Sequence, residues 1–191
     1  MVFGLSFYSW AILGLTATED AGSLIRFCIA SLHVTAGTLI LTRSPTQSDS
    51  SARELLYCLP SFVAAGIVFH FARPTDVWSI GPQVLFLAST LFSIASLLFL
   101  GKNFAVFPSI RGVQSRGPYA LIRHPVYAGE IGLLASCVWV AANRPIAWLA
   151  FLFAIATIVV RIVVEERKLK LSNDYQQYCS RVVWRLVPMV W

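Results

Sequence analysis

Residues 83–101 read QVLFLASTLFSIASLLFLG, a run with no charged side chain and none of the alternation of a half-buried strand. About 20 apolar residues in a helix cross the hydrocarbon core of a bilayer. The run must be helical there, because a lone strand in lipid leaves its amides without partners. Working outward, five more apolar stretches read the same way: Val2–Ala17, Ser23–Thr42, Leu55–Ala72, Tyr127–Ala142 and Ile146–Val164. With Gln83–Gly101 that makes about six crossings, or five if the short first stretch or the second, which carries Arg26, is discounted. The 191 residues are 57% hydrophobic and 13% charged, about half the charge of an ordinary soluble domain, and mean hydropathy is +0.70. Disordered, coiled-coil, collagen-like and disulfide-stapled classes are excluded. The expected fold is all-α: a polytopic membrane protein with N-terminal helices over 1–101 and a second region over 102–191.

Charge placement sets the expected orientation. The segments 43–54, 102–126 and the tail after 164 hold eleven Lys and Arg residues, whereas Arg73 and Arg144 stand alone in the intervening connections. The positive-inside rule puts the loop 102–126 and the C-terminus in the cytoplasm. A prokaryotic chain would then lie in the inner membrane and a eukaryotic one in the endoplasmic reticulum. The net charge of +6 belongs to these flanks, and no nucleic-acid partner is expected. No Lys or Arg precedes Arg26, so the first stretch is expected to stay as a helix and not serve as a cleaved leader. The C-terminal Pro188-Met189-Val190-Trp191 carries no lipidation signal. Cys28, Cys58, Cys137 and Cys179 lack CxxC spacing and read as packing residues, with no metal expected.

Chemistry is concentrated near the loop. Residues 102–126 are long for a connection, rich in apolar and aromatic side chains, and carry Lys102, Arg111, Arg116 and Arg123 without an acid; such a loop is expected to fold over a cavity. Pro125 suits the first turn of a helix, which puts Arg123 and His124 at a helix start, where an anion is favoured or where basic residues simply anchor to headgroups. Glu130 lies three residues into the fifth apolar stretch. Arg161 and Glu165 share a face at i,i+4 and read either as an ion pair at the membrane boundary or as a substrate and cofactor site. The aromatic, basic tail 169–191 is expected to lie along the membrane surface. No GxGxxG, P-loop or HExxH is present.

These residues form an ordered set: Gly117-Pro118-Tyr119, Arg123-His124-Pro125-Val126-Tyr127-Ala128-Gly129, Arg161-x-x-x-Glu165-Glu166, Asp174-Tyr175-x-x-Tyr178, and Leu186-Val187-Pro188. Over roughly residues 100–190 the set resembles the isoprenylcysteine carboxyl methyltransferase family of integral-membrane enzymes. The resemblance implies S-adenosyl-L-methionine as cofactor, with contacts from Arg111, Gly112, Val113, Gln114, Tyr119, His124, Pro125, Val126, Tyr127 and Glu165. It implies Arg161 as the catalytic and substrate-binding residue near the acceptor carboxylate. Where the family carries His-x-Leu-Val, this chain has Arg111-Gly112-Val113-Gln114, so backbone contacts are expected there.

The expected activity is S-adenosylmethionine-dependent methylation of a lipophilic small molecule or lipidated substrate, with a carboxylate such as a prenylcysteine α-carboxyl as one candidate acceptor. An ionised carboxylate needs alignment with the methyl donor more than acid–base help. Two other classes stand beside it: an NADPH-dependent membrane reductase of sterol type, which the Arg-His-Pro region allows, and a non-catalytic membrane protein.

Overall fold

The structure, a computed structural model, describes residues 2–16, 24–44, 51–72, 78–109 and 112–191. Arg73, Arg111 and the outer ends of the first two apolar stretches, Ala17 and Ser23, lie outside the described residues. Among the described residues the fold is all-α, with seven α-helices: α1 (Val2–Thr16), α2 (Leu24–Thr42), α3 (Ala52–Phe71), α4 (Ile80–Leu100), α5 (Pro125–Val140), α6 (Pro145–Leu169) and α7 (Asn173–Arg181). Two 3-10 turns, Gly101–Asn103 and Gly117–Ala120, shape the connection between α4 and α5.

Four of these, α2, α3, α4 with its 3-10 extension, and α6, are long and apolar enough to cross a membrane. That makes the chain a multi-pass membrane protein. Of the other expected crossings, α1 has 15 described residues and α5 is a shorter apolar helix of 16, against the ~20 of a typical crossing. Large apolar side chains cover the outside of the bundle, including Trp10, Phe27, Leu91, Leu98, Leu149 and Phe153. Water would penalise that surface, and lipid matches it.

Element ends follow local chemistry. Ser51 and Glu54 form a capping box at the start of α3: Ser51 Oγ accepts from Glu54 N at 3.3 Å, and Ser51 N donates to Glu54 Oε2 at 2.6 Å. Helix α4 begins at Ile80, ahead of the expected Gln83, because Pro82 is tolerated in a first turn. Helix α6 runs to Leu169, beyond the expected Val164, since a helix does not stop where its apolar residues stop.

The helices pack as α1 on α2, α4 on α5 and α3 on α6, with α2 against α4 and α5 between α3 and α6. Ile25, Val68, Phe86, Val138, Ile158 and Ile162 form the core between them. Helices α4 and α5 approach closely through small residues: a Cβ on Gly129 would collide with Ser93 Oγ, and one on Gly132 with Ser89 Oγ. One end of the bundle gathers the C-termini of α2, α4 and α6 with the N-termini of α3 and α5. There Ser44 N donates to Lys102 O at 2.8 Å, and Lys168 Nζ meets Glu54 Oε2 at 2.9 Å. The loop after α4 and the tail with α7 close over that end.

Candidate functional site

The loop is shaped by its own polar side chains. Gln114 Nε2 donates to the carbonyl of Phe99, while Gln114 Oε1 accepts from Ser115 N at 2.9 Å and Arg116 N at 3.0 Å. Gly112 N donates to Asn103 Oδ1 at 3.1 Å. The Gln114 side chain is therefore committed to the loop. Gly117 sits at φ +59°, and a Cβ there would lie 2.6 Å from the Phe99 ring. Gly117→Ala is accordingly expected to cost about 1–3 kcal/mol, combining left-handed strain with displacement of Phe99. Thermal unfolding in detergent measures this, and an unchanged melting temperature would contradict it.

The Arg-His-Pro segment is stitched to the tail by backbone. Arg123 N donates to Trp184 O and His124 N to Arg185 O, both at 2.9 Å. Pro125 opens α5 and is fully buried; it sets the helix start without facing the cavity described below. Glu166, 3% exposed, is the hub beneath. Its carboxylate lies 3.0 Å from Arg123 Nη1, 3.3 Å from His124 Nε2, 3.1 Å from Arg185 Nε and 3.8 Å from Lys170 Nζ. The tail is thus more than a surface segment: Tyr175 and Tyr178 are buried, and Tyr178 OH donates to Tyr119 O at 2.7 Å. Burial pushes the phenols of Tyr119, Tyr175 and Tyr178 well above their ordinary range, so all three keep their protons at physiological pH.

Arg161 and Glu165 do not pair with each other. Tyr127 OH donates to Glu165 Oε2 at 2.7 Å. Arg161 Nη2 donates to Val106 O at 2.7 Å and Nη1 to Ser61 Oγ at 3.4 Å. Its guanidinium stands 4.5 Å from the centroid of Phe62 and 5.1 Å from that of Tyr127. The residue is 7% exposed. Its Nε has no hydrogen-bond partner, and among the described residues no carboxylate lies within 4 Å of it.

These groups face one cavity of about 430 Å³, within the ~300–1,000 Å³ of small-molecule sites. Gly112, Val113, Gln114, Tyr119, His124, Val126, Tyr127, Arg161 and Glu165 all line it, as does Glu130. Arg111 lies outside the described residues. The wall also includes Phe7, Leu32 and Ala36 from α1 and α2, and Leu97, Leu100 and Phe104 from α4 and the loop. The cavity is therefore mostly apolar, with a few polar and charged side chains converging in it. Phe62 and Ser61, which hold Arg161, carried no signal in the sequence, being ordinary residues of an apolar helix a hundred positions away. Glu166 stood in the motif, and only the fold gives it a task.

No protein-family model matches the chain, and no curated protein does.

Proposed function

We propose that this chain is an integral-membrane methyltransferase that uses S-adenosyl-L-methionine and a lipophilic acceptor. The observation that carries the reading is the meeting, in one mostly apolar cavity, of Tyr119, His124, Tyr127, Glu165 and a buried Arg161 whose Nε–H has no partner among the described residues. The donor set fits the cofactor. Glu165 and the tyrosine faces suit a cationic sulfonium and hydroxyl groups, and the backbone of 112–114 and Tyr119 suit the nucleoside half. When bound, the cofactor supplies a methyl group activated on sulfur.

The chain's own residues do the rest. A guanidinium has five N–H donors, and Arg161 spends two of them on Val106 and Ser61. The remainder, including the orphaned Nε–H, can hold an acceptor carboxylate in a fixed direction. Phe62 and Tyr127 keep the guanidinium plane from turning. The loop residues 104–109 and 112–124 shield the site from water, which strengthens each of these contacts. The apolar wall from Phe7, Leu32 and Ala36 offers the lipophilic part of the acceptor a place beside the bilayer. The positive-inside distribution puts the polar mouth on the cytoplasmic face, where a water-soluble cofactor is available.

The test uses purified protein in detergent. Calorimetry is expected to show binding of S-adenosyl-L-homocysteine, and labelled cofactor is expected to label a component of a lipid extract that mass analysis can then identify. Absence of binding to the wild-type chain would remove the reading, and thermal stabilisation by NADPH in its place would favour a reductase.

A further inference from the structure

Tyr175 has a hydroxyl with nothing to do. The residue is 4% exposed, it lines the cavity, and its hydroxyl oxygen is buried without a hydrogen-bond partner among the described residues. Its neighbour on α7 is the opposite case: Tyr178 faces the same cavity, and its hydroxyl is committed to Tyr119 O at 2.7 Å. A buried donor left unmade is costly to a fold. A tyrosine kept in that state where phenylalanine would fill the same space marks a hydroxyl reserved for something that enters.

The surroundings narrow what enters. The Tyr175 ring packs in a small cluster with Tyr178 and Val182, flanked by Val113 and Leu169. The ring centroids of Tyr175 and Tyr178 are 5.7 Å apart. The two rings are tilted by 52° and form, with Val113 and Leu169, an apolar and partly aromatic wall that can take the edge or face of a planar heteroaromatic ring. Burial above all, and then the charges of Glu166 and Glu165 against the opposing Arg123, push the Tyr175 phenol above its ordinary range, which makes the spot unfavourable for an anion. The nearby Arg123 guanidinium carries its charge against Glu166 and gives its Nη groups to Glu166, to Cys179 Sγ at 3.1 Å and to Val183 O at 2.9 Å, leaving its Nε–H without a partner among the described residues. A protonated phenol in such a place calls for a neutral acceptor atom.

The geometry points to Tyr175 as a ligand-binding residue that donates its hydroxyl hydrogen to a neutral acceptor, a ring nitrogen or a ribose oxygen, on the nucleoside half of the bound cofactor. This rests on the methyltransferase reading above and adds a residue to it from the tail.

The experiment compares wild type, Tyr175→Phe and Tyr178→Phe, each as the full chain in detergent, by thermal unfolding without ligand and by calorimetry with S-adenosyl-L-homocysteine. Without ligand, Tyr175→Phe is expected to melt no lower than wild type, since it removes an unsatisfied group, whereas Tyr178→Phe melts lower because it breaks a made bond. With ligand, Tyr175→Phe is expected to bind about 3- to 10-fold more weakly, the value of one hydrogen bond. A Tyr175→Phe protein that binds as tightly as a binding wild type overturns the inference and leaves the methyltransferase reading standing. A Tyr175→Phe protein that melts as low as Tyr178→Phe overturns it independently of any ligand, because the hydroxyl then has a structural bond. A wild type that binds no S-adenosyl-L-homocysteine overturns both.

Discussion

Under the proposed methyltransferase reading, Arg161→Lys is expected to lower kcat/KM for methyl transfer by about 100-fold, equivalent to about 2.7 kcal/mol of transition-state stabilisation, while affinity for S-adenosyl-L-homocysteine stays within about threefold of wild type. Lysine keeps the charge and nearly the length, and it loses the planar fork. In the native site that fork bonds Val106 O and Ser61 Oγ at once while lying against Phe62 and Tyr127. An ammonium has no plane to be held by rings and no paired N–H groups with which to fix a carboxylate in one orientation. Alignment of acceptor oxygen with the transferred methyl is the principal demand of the reaction, so lost orientation falls on turnover and spares the cofactor. Steady-state kinetics on the identified acceptor, with calorimetry alongside, separates the two effects. Equal losses in catalysis and cofactor binding would mean that Arg161 serves the whole cavity through its hold on Val106.

The boundaries of the fold were legible where punctuation is local and obscure where it is tertiary. Pro125 marked the start of α5 within two residues of the expected span, and Ser51 with Glu54 marks the start of α3 by a pattern that hydropathy alone passes over. Helix α5 has the 16 residues expected for it, displaced two positions toward the N-terminus, but apolar composition alone does not tell which of its faces meets lipid and which meets another helix. Helix α5 presents Gly129 and Gly132 to the serines of α4 and is buried among its neighbours. In the site, residues close in sequence were identifiable by type and spacing. Their partners were not. An i,i+4 Arg161–Glu165 pair is the natural reading of a single helix, yet Tyr127 takes Glu165, and Arg161 turns to Val106 and Ser61. Those contacts link positions 38 to 100 apart in the chain, and only the bundle brings them together.

The two adjacent glutamates at the end of α6 should respond in opposite ways to the same substitution. Glu166→Gln is expected to cost about 3–5 kcal/mol, the range for removing one partner from a buried ionic cluster; at about 2–4 °C per kcal/mol for a chain of this size, the melting temperature falls by roughly 6–20 °C. Arg123, His124 and Arg185 all converge on that one carboxylate, and the side chains of Arg123 and His124 are 7% and 5% exposed. A neutral amide leaves the Arg123 guanidinium without its counter-charge in a place water barely reaches, whereas Arg185, with its side chain 28% exposed, keeps part of its hydration. The loss should spread along the chain, because the same cluster ties the Arg-His-Pro segment to the tail through Trp184 and Arg185. Glu165→Gln removes a charge that one phenol holds at the cavity wall. An amide oxygen can still accept from Tyr127, so the melting temperature should move by no more than about 2 °C. Binding of S-adenosyl-L-homocysteine should nevertheless weaken, since the cavity loses its acceptor for the cationic and hydroxyl groups of the ligand. Thermal unfolding and calorimetry on the two variants give a crossed result if the assignments are right. Should Glu166→Gln melt like wild type, the cluster would be dispensable for the fold, and its charges would have to be counted as part of the ligand site instead.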